Sequence, residues 1–194
     1  MGEVIDLREA RLRQIAGFAF KGWGRKFKET FSHNTTISTV GSEVIKFFAF
    51  GTPQSMQILQ VFVAKCRYPR EIQQFGNCEC LDTSAKREII DISLFLLDQI
   101  RFEAMFRLGW VDHFSARSIP MVELAIDFYN EYEWLQYEVP PLNPNHPLFS
   151  DYTDTYEADR SSFVRRLIPN VLEVLSHLPP TSFTNNDSNN FIDQ

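Results

Sequence analysis

The chain has 194 residues, long enough to bury roughly two-thirds of the surface its unfolded form exposes, and near the usual size of one domain rather than two. Hydrophobic residues make up 44% and charged ones 23%, a globular balance that excludes a disordered or fibrous chain. With 18 Phe, however, either the core is Phe-rich or some aromatic surface is covered by a partner. The net charge of −6 conceals an asymmetry: residues 1–28 carry seven basic groups against three acidic ones, and the remainder twelve against twenty-two. Such blocks can attract each other within a monomer or between subunits, or the basic end can face an anion such as nucleic acid or lipid head groups.

Cys66, Cys78 and Cys80 are odd in number and the nearest pair is one residue apart, which is not a disulfide framework. The first twenty residues interleave apolar groups with Glu3, Asp6, Arg8, Glu9, Arg11 and Arg13, so no export signal is expected. In the most hydrophobic stretch, 89–108, the charges Asp91, Asp98, Arg101, Glu103 and Arg107 recur too often for a membrane span. A cytoplasmic protein without a membrane partner is expected.

Asp6 with Glu9 forms a capping-box-like start, with Ile5 placed to pack on Ala10, and predicts a first helix from Leu7 to about Phe20. Residues 21–40 read as a glycine-containing loop with a short helical piece around Arg25–Phe31. Ser42 as an N-cap, Gly51 as a stop and Thr52-Pro53 as a new start predict helices over 43–50 and 53–66. Gln57–Lys65 is rich enough in Val and Phe to be argued as a strand, but Met56, Leu59 and Val63 share a helical face, and helix is the expectation.

Pro69 to Leu81 reads as a connection, and Asp82 or Thr83 then caps the longest periodic segment, about 84–108, closed by Gly109. On that helix Ile90, Leu94, Leu97 and Leu108 form one apolar strip and Phe95, Phe102, Met105 and Phe106 a second, the pattern of a helix buried by several neighbours. Pro120 opens a helix over about 121–137, and the prolines at 140, 141, 144 and 147 make an extended strap held by Leu142, Leu148 and Phe149. A further helix begins near Asp154 and is broken by Pro169 before Val171–Leu178. The Asn- and Ser-rich residues 181–194 have little to bury and are expected to be a disordered tail.

Two constellations hold chemistry in principle. On the long helix Asp91 and Asp98 project about 20° apart, with Glu88 about 60° from Asp91, and the following helix presents Glu123, Asp127, Asn130 and Glu131 within about 100°. If the two stripes meet, their carboxylates suit an oxygen-liganded Mg²⁺ or Mn²⁺ and a phosphohydrolase reaction, with Glu88, Asp91, Asp98, Glu123 and Asp127 as ligands. The plainer expectation is a solvated face and carboxylates paired with arginines or helix ends.

The second constellation is Lys21, Trp23, Arg25, Lys26, Phe27 and Lys28, whose interleaved cations and rings match a single-strand nucleic-acid contact, cations on phosphates and rings on bases. Its plainer reading is a solvated loop anchored by Trp23 and Phe27. The cysteine spacing does not match zinc sites, the histidines do not cluster, and neither a Gly-x-Ser-x-Gly elbow nor a glycine-rich phosphate loop occurs. Together these features predict an all-α, single-domain bundle of about five to seven helices over 1–180. Its expected role is that of an interaction or regulatory protein, binding a protein partner or a second copy and needing no cofactor.

Overall fold

The computed structural model describes residues 6–179. It is all-α, and among these residues β-type pairing is confined to two isolated antiparallel bridges, Thr36 with Pro120 and Val111 with Leu142. The staple by Ile5 and the tail at 181–194 lie outside the described residues.

The three longest helices start where a side chain supplies a missing backbone partner. Helix α1 (Leu7–Ala19) starts at Asp6, whose carboxylate accepts the N–H groups of Arg8 and Glu9 at 2.9 and 3.4 Å. A short α2 (Trp23–Phe27) follows. Helix α3 (Ser42–Ala49) takes Gly41 as its N-cap rather than Ser42, and the Gly41 N–H donates to Glu29 Oε2 at 3.0 Å. Thr52 and Pro53 open α4 (Pro53–Arg67) as expected, so the Val- and Phe-rich stretch is helix. Between α3 and α4 the chain turns at Gly51 with φ +59°, where a Cβ would approach the Arg101 guanidinium to 3.1 Å. Arg101 itself donates from Nε to the Ala49 carbonyl at 3.0 Å and so closes the end of α3.

The expected connection 69–81 instead holds helix α5 (Pro69–Phe75), because Pro69 is preset for a first helical turn and Gly76, at φ +80°, ends it. Asp82 then caps α6 (Thr83–Arg107) through the Ala85 N–H at 2.8 Å. The predicted helix 121–137 is interrupted. Regular α7 (Met121–Asp127) gives way to a π-helical turn at Phe128–Tyr132 and a 3₁₀ turn at Glu133–Gln136. The strap is pinned from both sides: Asp112 N–H donates to the Pro141 carbonyl at 3.0 Å, Asn143 N–H to the Trp110 carbonyl at 2.9 Å, and Leu142 is buried between them. Beyond it lie an unanticipated α8 (Phe149–Asp154), then α9 (Glu157–Arg166) and α10 (Ile168–His177), which carries Pro169 in its first turn.

Helix α6 packs against α3, α4 and α10, and α4 against α1 and α7. The phenylalanine load is largely a core feature. Trp23 stands 4.7 Å from Phe48 and 5.1 Å from Phe62, ring centre to ring centre, and Phe20, Phe27, Phe31 and Phe47 extend this cluster across the first four helices. The two apolar strips of α6 fare differently. Phe95, Phe102 and Met105 are buried, whereas the other strip divides along its length, with Ile90 and Leu94 46% and 50% exposed and Leu97 buried.

At the other end of α6 a charged group sits in the core. Glu103 has no exposed surface, and its two carboxylate oxygens accept from Arg107 Nε and Arg117 Nε, each at 2.7 Å. Arg107 Nη2 donates further to the carbonyls of Ile37, Ser38 and Val40 at 3.3, 3.2 and 2.8 Å, and the Arg117 guanidinium lies 3.8 Å from the Phe106 ring centre. Removing the carboxylate alone would leave two buried guanidinium groups without their anion. Glu103→Ala should therefore lose about 3–5 kcal/mol of unfolding free energy, read from urea denaturation. A loss below about 1 kcal/mol, the range of a solvated pair, would show that water reaches this site.

Candidate functional site

The five acidic residues that would hold a metal ion if the stripes met are distributed among three sets of arginine partners and, for Asp91, a tyrosine. Glu88 Oε2 accepts from Arg67 Nη2 at 2.7 Å and from the Tyr68 hydroxyl at 2.8 Å. Asp98 pairs with Arg165 and, at 3.9 Å, with Arg101. Asp91 accepts from the Tyr129 hydroxyl at 3.4 Å. Glu123 and Asp127 share Arg8, at 3.7 and 3.2 Å. Among the described residues no group of three or more His, Cys, Asp or Glu side chains is placed to hold a metal ion, so the convergence that a metal site requires does not occur. Two physical reasons are visible. The chain leaves regular α-helix at Asp127 for a π-helical turn, and α1 lays Arg8 over Glu123 and Asp127, whose charges together with that of Glu131 act on it.

The basic-aromatic segment is also divided. Trp23 and Phe27 are only 3% and 8% exposed and belong to the ring cluster, while Lys21, Arg25, Lys26 and Lys28 face outward. Lys26 Nζ lies over the Phe47 ring at 4.1 Å. Neither ring of the segment is therefore free to stack on a base, and what remains is a set of surface cations. The three thiols are unpaired. Burial pushes the Cys66 thiol up, and burial followed by the neighbouring Cys80 does the same to Cys78.

What the structure does assemble is a trough of about 590 Å³ between α4, α5 and the first half of α6. Its walls include Val61 and Ile72 on one side and Cys78, Ile89 and Ile90 on the other, with Lys65 and Lys86 on the rim. A hollow of about 230 Å³ toward Trp23 and Lys26 continues it, since Gln57, Val61 and Lys65 line both. Lys65 is half-buried, and its amine is held below the usual lysine range, first by burial and then by the nearby Lys21. Lys86 Nζ donates to the Glu79 carbonyl at 3.0 Å. Val61, 37% exposed, and Ile90 are large apolar groups of this trough open to water, and exposed Leu94 follows Ile90 one turn later on the neighbouring crevice. In the sequence Ile90 and Leu94 carried a signal, being flanked by Lys86 and Arg87 and spaced i, i+4, but the same spacing also describes a core strip.

Across the Ile90–Leu94 ridge lies a second crevice of about 480 Å³ where α6 faces the π-helical turn, bearing Asp91, Asp98, Tyr129 and Glu133. The ridge thus divides a trough with two lysines and Glu79 on its walls from a crevice with three carboxylates and Arg101. Chemically the trough offers an apolar floor and an edge with an excess of one positive charge, which suits an apolar body with anionic flanks.

The Glu88 contacts carry a pH dependence. Burial alone would raise its pKa, but the hydrogen bonds from Arg67 and Tyr68 and the Arg67 charge outweigh it, so the carboxyl sits below its usual range. A depressed carboxyl contributes stability that is present above the unfolded value of about 4.3 and is lost as the pH falls through the folded pKa. Glu88→Gln should flatten the acid limb of a melting-temperature profile; a limb that overlays the wild type's would show the pair to be without net effect. Scans against protein-family models and searches of curated proteins and solved structures found no match to this chain.

Proposed function

We propose that this chain is an interaction protein whose docking site is the α4–α5–α6 trough, and that the occupant is an amphipathic helix of a partner protein with acidic residues flanking its apolar face. The observation that carries this reading is the exposure of Val61 and Ile90 together in a groove lined by Lys65 and Lys86, with the half-exposed Leu94 one helical turn beyond Ile90. Covering a half-exposed side chain of this size is worth roughly 1 kcal/mol, and an apolar groove that seats the stripe of an amphipathic helix is a recurrent recognition mode. Basic rim charges on a chain of net charge −6 select an acidic partner by complementarity. With its three thiols unpaired, the protein suits a reducing compartment, and we place it in the cytoplasm. Among the described residues no helix is long and apolar enough to cross a membrane.

The test uses the full chain and a labelled synthetic peptide with Leu at i, i+3, i+4 and i+7 and Glu elsewhere, followed by fluorescence anisotropy. Saturable binding is expected, weakened about tenfold or more, some 1.4 kcal/mol, by Ile90→Asp or Leu94→Asp. The same peptide with Lys in place of Glu should not bind. Equal binding of both peptides, or of neither, would overturn the proposal. So would a concentration-dependent dimer in sedimentation that disappears in Ile90→Asp, which would assign the ridge to a second copy of the chain.

A further inference from the structure

A different surface carries a second site. Helices α1 and α5 and the end of α4 enclose a cleft of about 630 Å³ into which three arginines contribute: Arg11, Arg67 and Arg70. Their circumstances differ. Arg67 is held in place by Glu88 at 2.7 Å and by the Ile126 carbonyl, so its charge is already matched. Arg11 and Arg70, like Arg25, Arg87, Arg160 and Arg166, have no carboxylate within ion-pair distance among the described residues, and these two line one cleft. Glu71 is the carboxylate in the cleft wall, and it pairs with neither of them. Gln14 and Gln73 add amide donors, and the floor is apolar, formed by buried Ile15 and half-buried Phe18.

We propose that this cleft binds a phosphate ester of a small organic molecule, with Arg11 and Arg70 on the phosphate and Phe18 under the organic group. Guanidinium groups meet phosphate oxygens through paired N–H donors, so two uncommitted arginines lining one concave surface form a receptor for that anion. The cleft falls within the size range of small-molecule sites and exceeds what a bare phosphate fills, which is why the ligand carries an organic body. Gln14 and Gln73 bond the remaining oxygens without altering the charge balance.

The experiment measures binding of phenyl phosphate, inorganic phosphate and phenol to the full chain by calorimetry at fixed ionic strength. Phenyl phosphate should bind more tightly than inorganic phosphate, and phenol not at all. Arg11→Gln and Arg70→Gln should each lower phenyl phosphate affinity about tenfold, while Arg25→Gln on exposed α2 should leave it unchanged. All three positions are exposed, so their substitution leaves the core intact. The proposal is overturned by the absence of binding at millimolar phenyl phosphate, by equal affinity for the two phosphates, or by an equal loss in Arg25→Gln. It is also overturned if the chain sediments with anionic phosphatidylserine vesicles through Arg11 and Arg70 yet ignores phenyl phosphate.

Discussion

A carboxylate with no access to water, gripped by two guanidinium groups from different parts of the chain, is the contact on which the rest of this bundle depends. Glu103 belongs to the longest helix, Arg107 follows it one turn later, and Arg117 arrives from the turn that leads into α7. Through Arg107 the same cluster gathers the carbonyls of Ile37, Ser38 and Val40, and the Ser38 N–H donates back to the Arg117 carbonyl at 3.2 Å. A segment with no helix of its own is thereby fixed to α6 by charge-assisted bonds. Buried ion pairs seldom add net stability over a well-packed apolar alternative, but they strongly penalise any arrangement that separates the partners. Here the penalty falls on every alternative packing of residues 37–40, which is a form of fold specification.

The same chemistry, moved to the surface, shapes what the protein offers to others. Arginines from α1, α4 and α9 pair with Glu88 and Asp98 of α6 and with Glu123 and Asp127 of α7, so these carboxylates become braces between helices. The aromatic side chains of the first half of the chain are likewise spent on joining α1 to α4. Among the groups that remain exposed, Val61 and Ile90 share a trough with two lysines, and Arg11 and Arg70 share a cleft with an apolar floor.

The legible parts of this fold are those decided within a few residues. Asp6, Thr52 with Pro53, and Asp82 cap helices through bonds to backbone groups no more than three residues away, and a linear pattern contains all that is needed to see them. Pro69 and Gly76 were equally visible, but as breakers they signal a boundary without saying on which side the helix lies. The π-helical turn at Phe128–Tyr132 leaves hydrophobic periodicity almost unchanged and so was invisible. The carboxylates were seen and their partners were not, because those lie 21 residues from Glu88, 67 from Asp98 and 119 from Asp127. Trp23 and Phe27 show the complementary limit: composition marks a basic-aromatic run, but which way its rings turn is decided by Phe48 and Phe62 in other helices.

The anchoring of residues 37–40 has a kinetic corollary. Irregular segments ordinarily open by local fluctuation, exposing their amides to exchange and their peptide bonds to proteases at little cost. This one cannot lift away without stripping Arg107 of three carbonyl partners and exposing the charge at the centre of the core. Opening of this segment is thereby coupled to loss of the core, and the Ser38 N–H, bonded to the Arg117 carbonyl, is expected among the slowly exchanging protons although no helix contains it.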